Sequence, residues 1–174
     1  MERCKLGDSY DAVKRLWQEV LEKWAPLYAD PRFVPEDLKV EYTRLTRIPV
    51  FREAPSGLYS ILNDPDTGIR HPDAANQRES RRHIALHSIA EQLRPTKVRA
   101  VITFDQSNYR RTGKSFIEQR NDKMRYLANK GFFSFYYASH APFLFTCRSA
   151  RMLREVRELL LGVGVPESMF EPPE

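Results

Sequence analysis

Apolar side chains fall at helical spacing in some stretches of this chain and alternate or cluster in others. Val13, Leu16, Trp17, Val20, Leu21 and Trp24 form one broad stripe, which predicts a helix from a cap at Asp8 or Ser9 to about Tyr28. Lys14, Arg15, Gln18, Glu19, Glu22 and Lys23 are its expected solvated face. Leu38, Val40 and Tyr42 then alternate, and Leu45 and Ile48 follow after a change of phase. Residues 38–48 therefore predict a half-buried strand with a bulge. A short helix is expected over residues 56–62 and a loop over 63–73. A second amphipathic helix is expected over 74–93, burying Ala85, Leu86, Ile89 and Leu93.

Residues 98–104 are the most strand-like segment and predict a central strand. Residues 114–129 predict a helix with Phe116, Ile117, Met124 and Leu127 inward, closed by Lys130 and Gly131. Two strands follow at 132–137 and 143–147. Ser149 then caps a last helix over 150–161, with Met152, Leu153, Val156, Leu159 and Leu160 apolar. The order from residue 98 is strand, helix, strand, strand, helix. This predicts an α+β single domain, a ferredoxin-like split sandwich over 98–161, with an N-terminal helix and extra helices. The chain divides into a helix and Pro-containing connection (1–37), an α+β core (38–161) and an acidic, loose tail (162–174).

With 174 residues, the length suits one domain with a substantial core. No apolar run reaches the ~18–20 residues of a membrane span, and residues 1–6 lack the apolar region of a secretory signal. Cys4 and Cys147 are too few for a disulfide framework. An intracellular location, cytoplasmic or in an organelle matrix, is the expectation. The net charge of +5 hides a partition: −2 over residues 1–77, +11 over 78–157 and −4 over 158–174. Arg supplies 20 of the 28 basic residues, which favours bidentate pairing with phosphate or carboxylate. The partner expected from this asymmetry is acidic, either nucleic acid or protein subunits of a complex. Neither a cofactor, a metal nor a small-molecule ligand is indicated.

Two groups carry the contact hypothesis: Arg78, Arg81, Arg82, Arg110, Arg111, Lys114 and Ser115, and then Arg151, Arg154 and Arg157 on the last helix with Arg148 just before its cap. Thr112-Gly-Lys-Ser115 follows a strand and opens a helix, but Asn108 stands where a phosphate-binding loop needs Gly. An anion site at the helix start is therefore expected in place of nucleotide hydrolysis. His83, His87 and Glu91 fall at metal-ligand spacing on the expected second helix, with surface histidines the favoured reading. Lys130–Tyr137 resembles the aromatic strand signature of RNA recognition motifs, departing from it at Phe133 and Ser134. Asp105, ending the best strand before a basic helix start, is similar in position to the metal-binding Asp of small ferredoxin-like endonucleases. That resemblance implies an alternative, a metal-dependent nuclease or phosphate-processing enzyme around Asp105 and residues 110–115, with Glu118 or Asp122 as second carboxylate. The leading expectation is a non-enzymatic binding or assembly protein, RNA before DNA, with no catalytic residues.

Overall fold

The computed structural model describes residues 7–74 and 78–172. Cys4 and residues 75–77 of the expected second helix lie outside the described residues. Helix α1 (Ser9–Leu21) starts where Asp8 accepts hydrogen bonds from the Tyr10 and Asp11 amides. It ends at Leu21, about two turns before Tyr28, because Leu27–Ala29 is strand β1. The Gln18 side chain accepts from the Leu27 amide at 2.9 Å and ties the two together.

Residues 38–48 are helical, against the expected strand: a 3-10 turn at Glu36–Leu38 leads into α2 (Lys39–Thr46). Leu38, Tyr42 and Thr46 are buried at a spacing of four, while Val40 is 84% exposed. Positions 38 and 42 fit either periodicity, whereas Val40 fits only the strand one, and its exposure selects the helix. The expected short helix at 56–62 is instead strand β2 (Tyr59–Asn63), held between two parallel neighbours. In place of a helix over 74–93 are β4 (His83–Ile84) and a short α3 (Leu86–Gln92), and β4 pairs with β3 (Gly68–Ile69) inside the expected loop.

The second half follows the expected elements closely: β5 (Val98–Phe104), α4 (Phe116–Ala128), β6 (Phe133–Tyr137), β7 (Phe143–Cys147) and α5 (Ala150–Gly162). Ser115 caps α4 in a reciprocal capping box with Glu118, and Ser149 caps α5. Phe116 and Ile117, expected inward, are 47% and 54% exposed. The acidic segment after residue 162 is more ordered than its composition implies. Phe170–Glu171 forms β8 against β6, and Phe170 is buried.

The described strands build a six-stranded mixed sheet in the order β1-β2-β5-β7-β6-β8, so the architecture is mixed α/β within one domain. β1, β2 and β5 are parallel neighbours, whereas β7, β6 and β8 join antiparallel. A ferredoxin-like sandwich would put both late helices on one face and its fourth strand beside the first. Here β8 pairs with β6, and β2 occupies the edge of β5 that the fourth strand would need. The helices also split. α4 packs Met124 and Leu127 with Leu144 and Tyr136, and α5 packs Val156 and Leu160 with Phe135, Phe143 and Phe145 on the other face.

The early crossovers divide in the same way: α2 contributes Tyr42 to the α5-side core and α3 contributes Ile89 to the α4-side core. The connections leaving β1 and β2 thus pass to opposite faces. Asp30, Asp64 and Asp105 stand just past the ends of β1, β2 and β5 respectively.

Gly68 controls how closely β3 approaches that rim. Its φ is +137°, and a Cβ there would meet Asp105 Oδ1 at 2.3 Å and Asp105 Cα at 2.7 Å. Gly68→Ala is expected to lower stability by at least ~1–3 kcal/mol in urea unfolding. Gly57→Ala, where a Cβ meets nothing within 4 Å, stays within ~0.5 kcal/mol of the parent. Equal effects at the two sites would contradict this packing.

Candidate functional site

Each of the three strand-end carboxylates is met by a cation. Asp105, 3% exposed, lies 2.6 Å from Lys123 Nζ, which α4 brings in from the face above. The same carboxylate accepts from Tyr136 Oη at 2.7 Å, Ser107 Oγ at 2.6 Å and the Ile69 amide at 2.9 Å. Burial pushes the Asp105 carboxyl upward, but the Lys123 ammonium and these hydrogen bonds outweigh it and hold it below the ordinary carboxylate value. Burial beside this carboxylate pushes the Tyr136 phenol well above its ordinary value. The arrangement is a satisfied, buried ion pair that fastens β3, β5, α4 and β6.

On the opposite face of the sheet, α1 delivers Lys14 between Asp11 at 3.0 Å and Asp64 at 2.6 Å, all three buried. Burial works to lower Lys14, yet the two carboxylates overcome it and raise it. Asp64 is raised, because burial outweighs its share of one ammonium divided between two acids. Beside this triad a pocket of about 220 Å³ opens between the start of α1 and the ends of β2 and β5. Asp8, Tyr10, Lys14, Asp64, Pro65, Asp66, Phe104 and Gln106 line it. The third carboxylate, Asp30, holds Arg32 Nη2 at 2.7 Å and accepts from Gln92, which also bonds Asn63.

The arginines of the first sequence group gather around this rim. The Gln106 amide bonds Thr67 O, Ser107 Oγ bonds Ile69 O, and the Gly68 amide bonds Arg82 O, so three segments run side by side. Tyr109 stacks on His71 at 5.6 Å, which brings the Arg110–Thr112 turn against the same edge. Arg81, Arg82, Arg110 and Arg111 are exposed there, and no carboxylate among the described residues pairs with them. The Arg78 carbonyl accepts from Arg70 Nε. His83 is lowered, first by burial and then by Arg70 and Arg82, with Asp105 opposing. Lys114 pairs with Asp122 at 2.6 Å, and Ser115 is committed to the α4 cap.

The second group is elsewhere and is largely consumed. Arg148 donates to the Thr96 and Val98 carbonyls at the start of β5, the end of the sheet away from Asp105. Arg151 pairs with Glu155 at 2.9 Å, and Arg157 binds Glu167 and lies over the Phe170 ring. Arg154 is exposed beside a groove lined by Ser134, Leu153 and Phe170. The two groups therefore do not share one face.

The remaining candidates resolve in similar detail. His83 sits in β4 and His87 in α3, so they are not one helical turn apart on a common helix. No cluster of three or more His, Cys, Asp or Glu suited to a metal occurs among the described residues. Glu118 and Asp122 turn to Ser115 and to Lys114 and His71, and Lys123 is the α4 residue that reaches Asp105. Asp105 does not pair with Arg110. In the aromatic strand Phe135 and Tyr136 are buried, and burial pushes the Cys147 thiol up to about 12. No helix among the described residues is long and apolar enough to cross a membrane.

Lys14 and Lys123 are the residues that pattern reading misplaced or passed over. Their signal is positional: Lys14 falls in register with Trp17 and Leu21, and Lys123 with Met124 and Leu127, inside buried stripes. Comparison with protein-family models, with curated proteins and with solved structures returns no match.

Asp105→Asn is expected to lower stability at pH 7 by ~3–5 kcal/mol, because it strands a buried ammonium. The Asp105→Asn, Lys123→Met double variant loses clearly less than the sum of the singles. Since the native carboxyl is depressed, its contribution is complete above the unfolded value near ~3.9. It fades as pH falls through the lower native value. Urea unfolding at pH 7 and pH 3 checks both; a pH-independent deficit or additive losses would contradict the pairing.

Proposed function

We propose that this chain is a non-enzymatic binding protein that takes single-stranded RNA along the rim beyond the carboxyl ends of its parallel strands. The observation that carries the reading is the set Arg81, Arg82, Arg110 and Arg111, exposed on adjoining segments and unpaired among the described residues. Guanidinium groups left without carboxylates are available for phosphate, which they bind bidentately. Phe116 and Ile117 expose apolar surface just past the same basic turn, and this suits unpaired bases better than an acidic protein surface. The α5 arginines are not assigned to the contact, because three of them are spent on Glu155, Glu167 and backbone carbonyls. The hydrolytic alternative loses its support at Asp105, whose carboxylate is saturated by Lys123, Tyr136, Ser107 and Ile69.

Fluorescence anisotropy of a labelled oligoribonucleotide across a salt series tests the reading. Affinity is expected to fall linearly in log–log form, with a slope of about −0.7 per phosphate neutralised. The pairs Arg81→Glu with Arg82→Glu, and Arg110→Glu with Arg111→Glu, each weaken binding and flatten the slope by about 0.7 per lost contact. Arg151→Glu leaves both unchanged. Absence of salt-dependent binding, or equal loss from Arg151→Glu, would overturn the proposal.

A further inference from the structure

The pocket beside Lys14 has polar valences that the fold leaves unspent. Asp64 takes Lys14 on Oδ2, while its Oδ1 accepts nothing from the described residues, although the side chain is buried and lines the cavity. Lys14 Nζ donates to Asp11 and Asp64, which leaves one of three N–H bonds. Gln106 spends its amide N–H groups on Tyr10 Oη and the His140 carbonyl, which leaves its own carbonyl oxygen as an acceptor. The walls between these groups are aromatic: Tyr10 and Phe104 meet edge to face at 5.5 Å. The volume of about 220 Å³ is below the ~300–1,000 Å³ of sites that enclose a drug-sized ligand. It suits one planar ring system with its attachments outside.

A matching ligand presents adjacent N–H donors to a carboxylate, a carbonyl oxygen to an ammonium, and a flat face to aromatic rings. Asp8, Asp64 and Asp66 outnumber Lys14 in the lining, so the wall as a whole favours a ligand edge that donates hydrogen bonds. Among the RNA bases, guanine alone carries two neighbouring N–H donors flanked by a carbonyl. Adenine and cytosine carry one amino group beside an unprotonated ring nitrogen, and uracil carries a single N–H between carbonyls. The pocket also adjoins the arginine rim, since the Asp66 amide bonds the Arg81 carbonyl at 3.0 Å. We infer that the Lys14–Asp64 pocket receives one unpaired guanine base of an RNA whose backbone lies on the rim arginines. This rests on the RNA-binding reading and names the base that it selects.

The test compares an all-uridine oligoribonucleotide with versions carrying one central guanosine or one central adenosine. Guanosine is expected to raise affinity on the order of 10-fold, the size of one good base-edge contact, and adenosine to add nothing. Asp64→Asn erases the gain while the salt-dependent binding of the uridine oligomer persists. Gln106→Trp, at the exposed mouth, blocks the pocket without touching the Lys14–Asp64 pair and keeps the test decisive if Asp64→Asn unfolds. Equal affinity for the three oligomers, or a guanosine gain that survives Gln106→Trp, overturns the inference with the RNA-binding reading intact. If no oligomer binds, that reading fails, and titration with GMP and AMP alone judges the pocket. GMP binding that Gln106→Trp abolishes upholds guanine recognition, whereas no GMP binding, or equal AMP binding, overturns it.

Discussion

The structure turns on a charge taken out of water at the end of β5. A buried carboxylate is tolerable only when its partner and its remaining lone pairs are supplied together. Asp105 obtains its donors from four separate places: Lys123 on α4, Tyr136 on β6, Ser107 in the following loop and the Ile69 amide on β3. None of these positions is free to move without stranding the charge. The constraint reaches Gly68, whose missing Cβ is what lets β3 lie against Asp105. The segments that carry the exposed arginines are therefore anchored at their roots although their tips face solvent.

A second pair, Lys14 with Asp64, does the same work on the opposite face, with one difference. Asp105 takes donors from four places, whereas Asp64 takes Lys14 on Oδ2 and its side chain lines a cavity. Two similar lysine–aspartate pairs at neighbouring strand ends thus have different consequences, one a lock and the other a wall of a pocket. Both lie on the rim where the parallel half of the sheet places its carboxyl ends. The antiparallel half is devoted to packing, with Phe135, Phe143 and Phe145 against α5.

Elements set by local chemistry were legible in the sequence. Residues 98–104 are β-rich and unbroken, and Ser115 and Ser149 cap helices with hydrogen bonds made inside their own turns. Elements set by distant neighbours were not. Residues 59–63 become a strand because β1 and β5 lie on either side, and Phe170 joins the sheet because β6 offers an edge. Residues 38–48 misled because positions 38 and 42 satisfy two periods at once and the apolar Val40, exposed on the helix, completed an apparent alternation. The basic character of residues 78–157 was visible from composition, but its division between a free rim and a paired α5 depends on Glu155, one helical turn from Arg151, and on Glu167, which the fold brings to Arg157. Lys14 read as a surface residue and Lys123 drew no reading, because a lysine in a buried stripe has no meaning until its carboxylate is found.

The central claim is that the binding face is the carboxyl-end rim and no other. Amide chemical-shift mapping during titration with a short single-stranded oligoribonucleotide addresses it most directly. The account predicts that shifts concentrate at residues 64–71, 81–84 and 104–111 and leave the exposed side of α5 at 150–161 unmoved. Shifts centred on α5, with the rim silent, would contradict it.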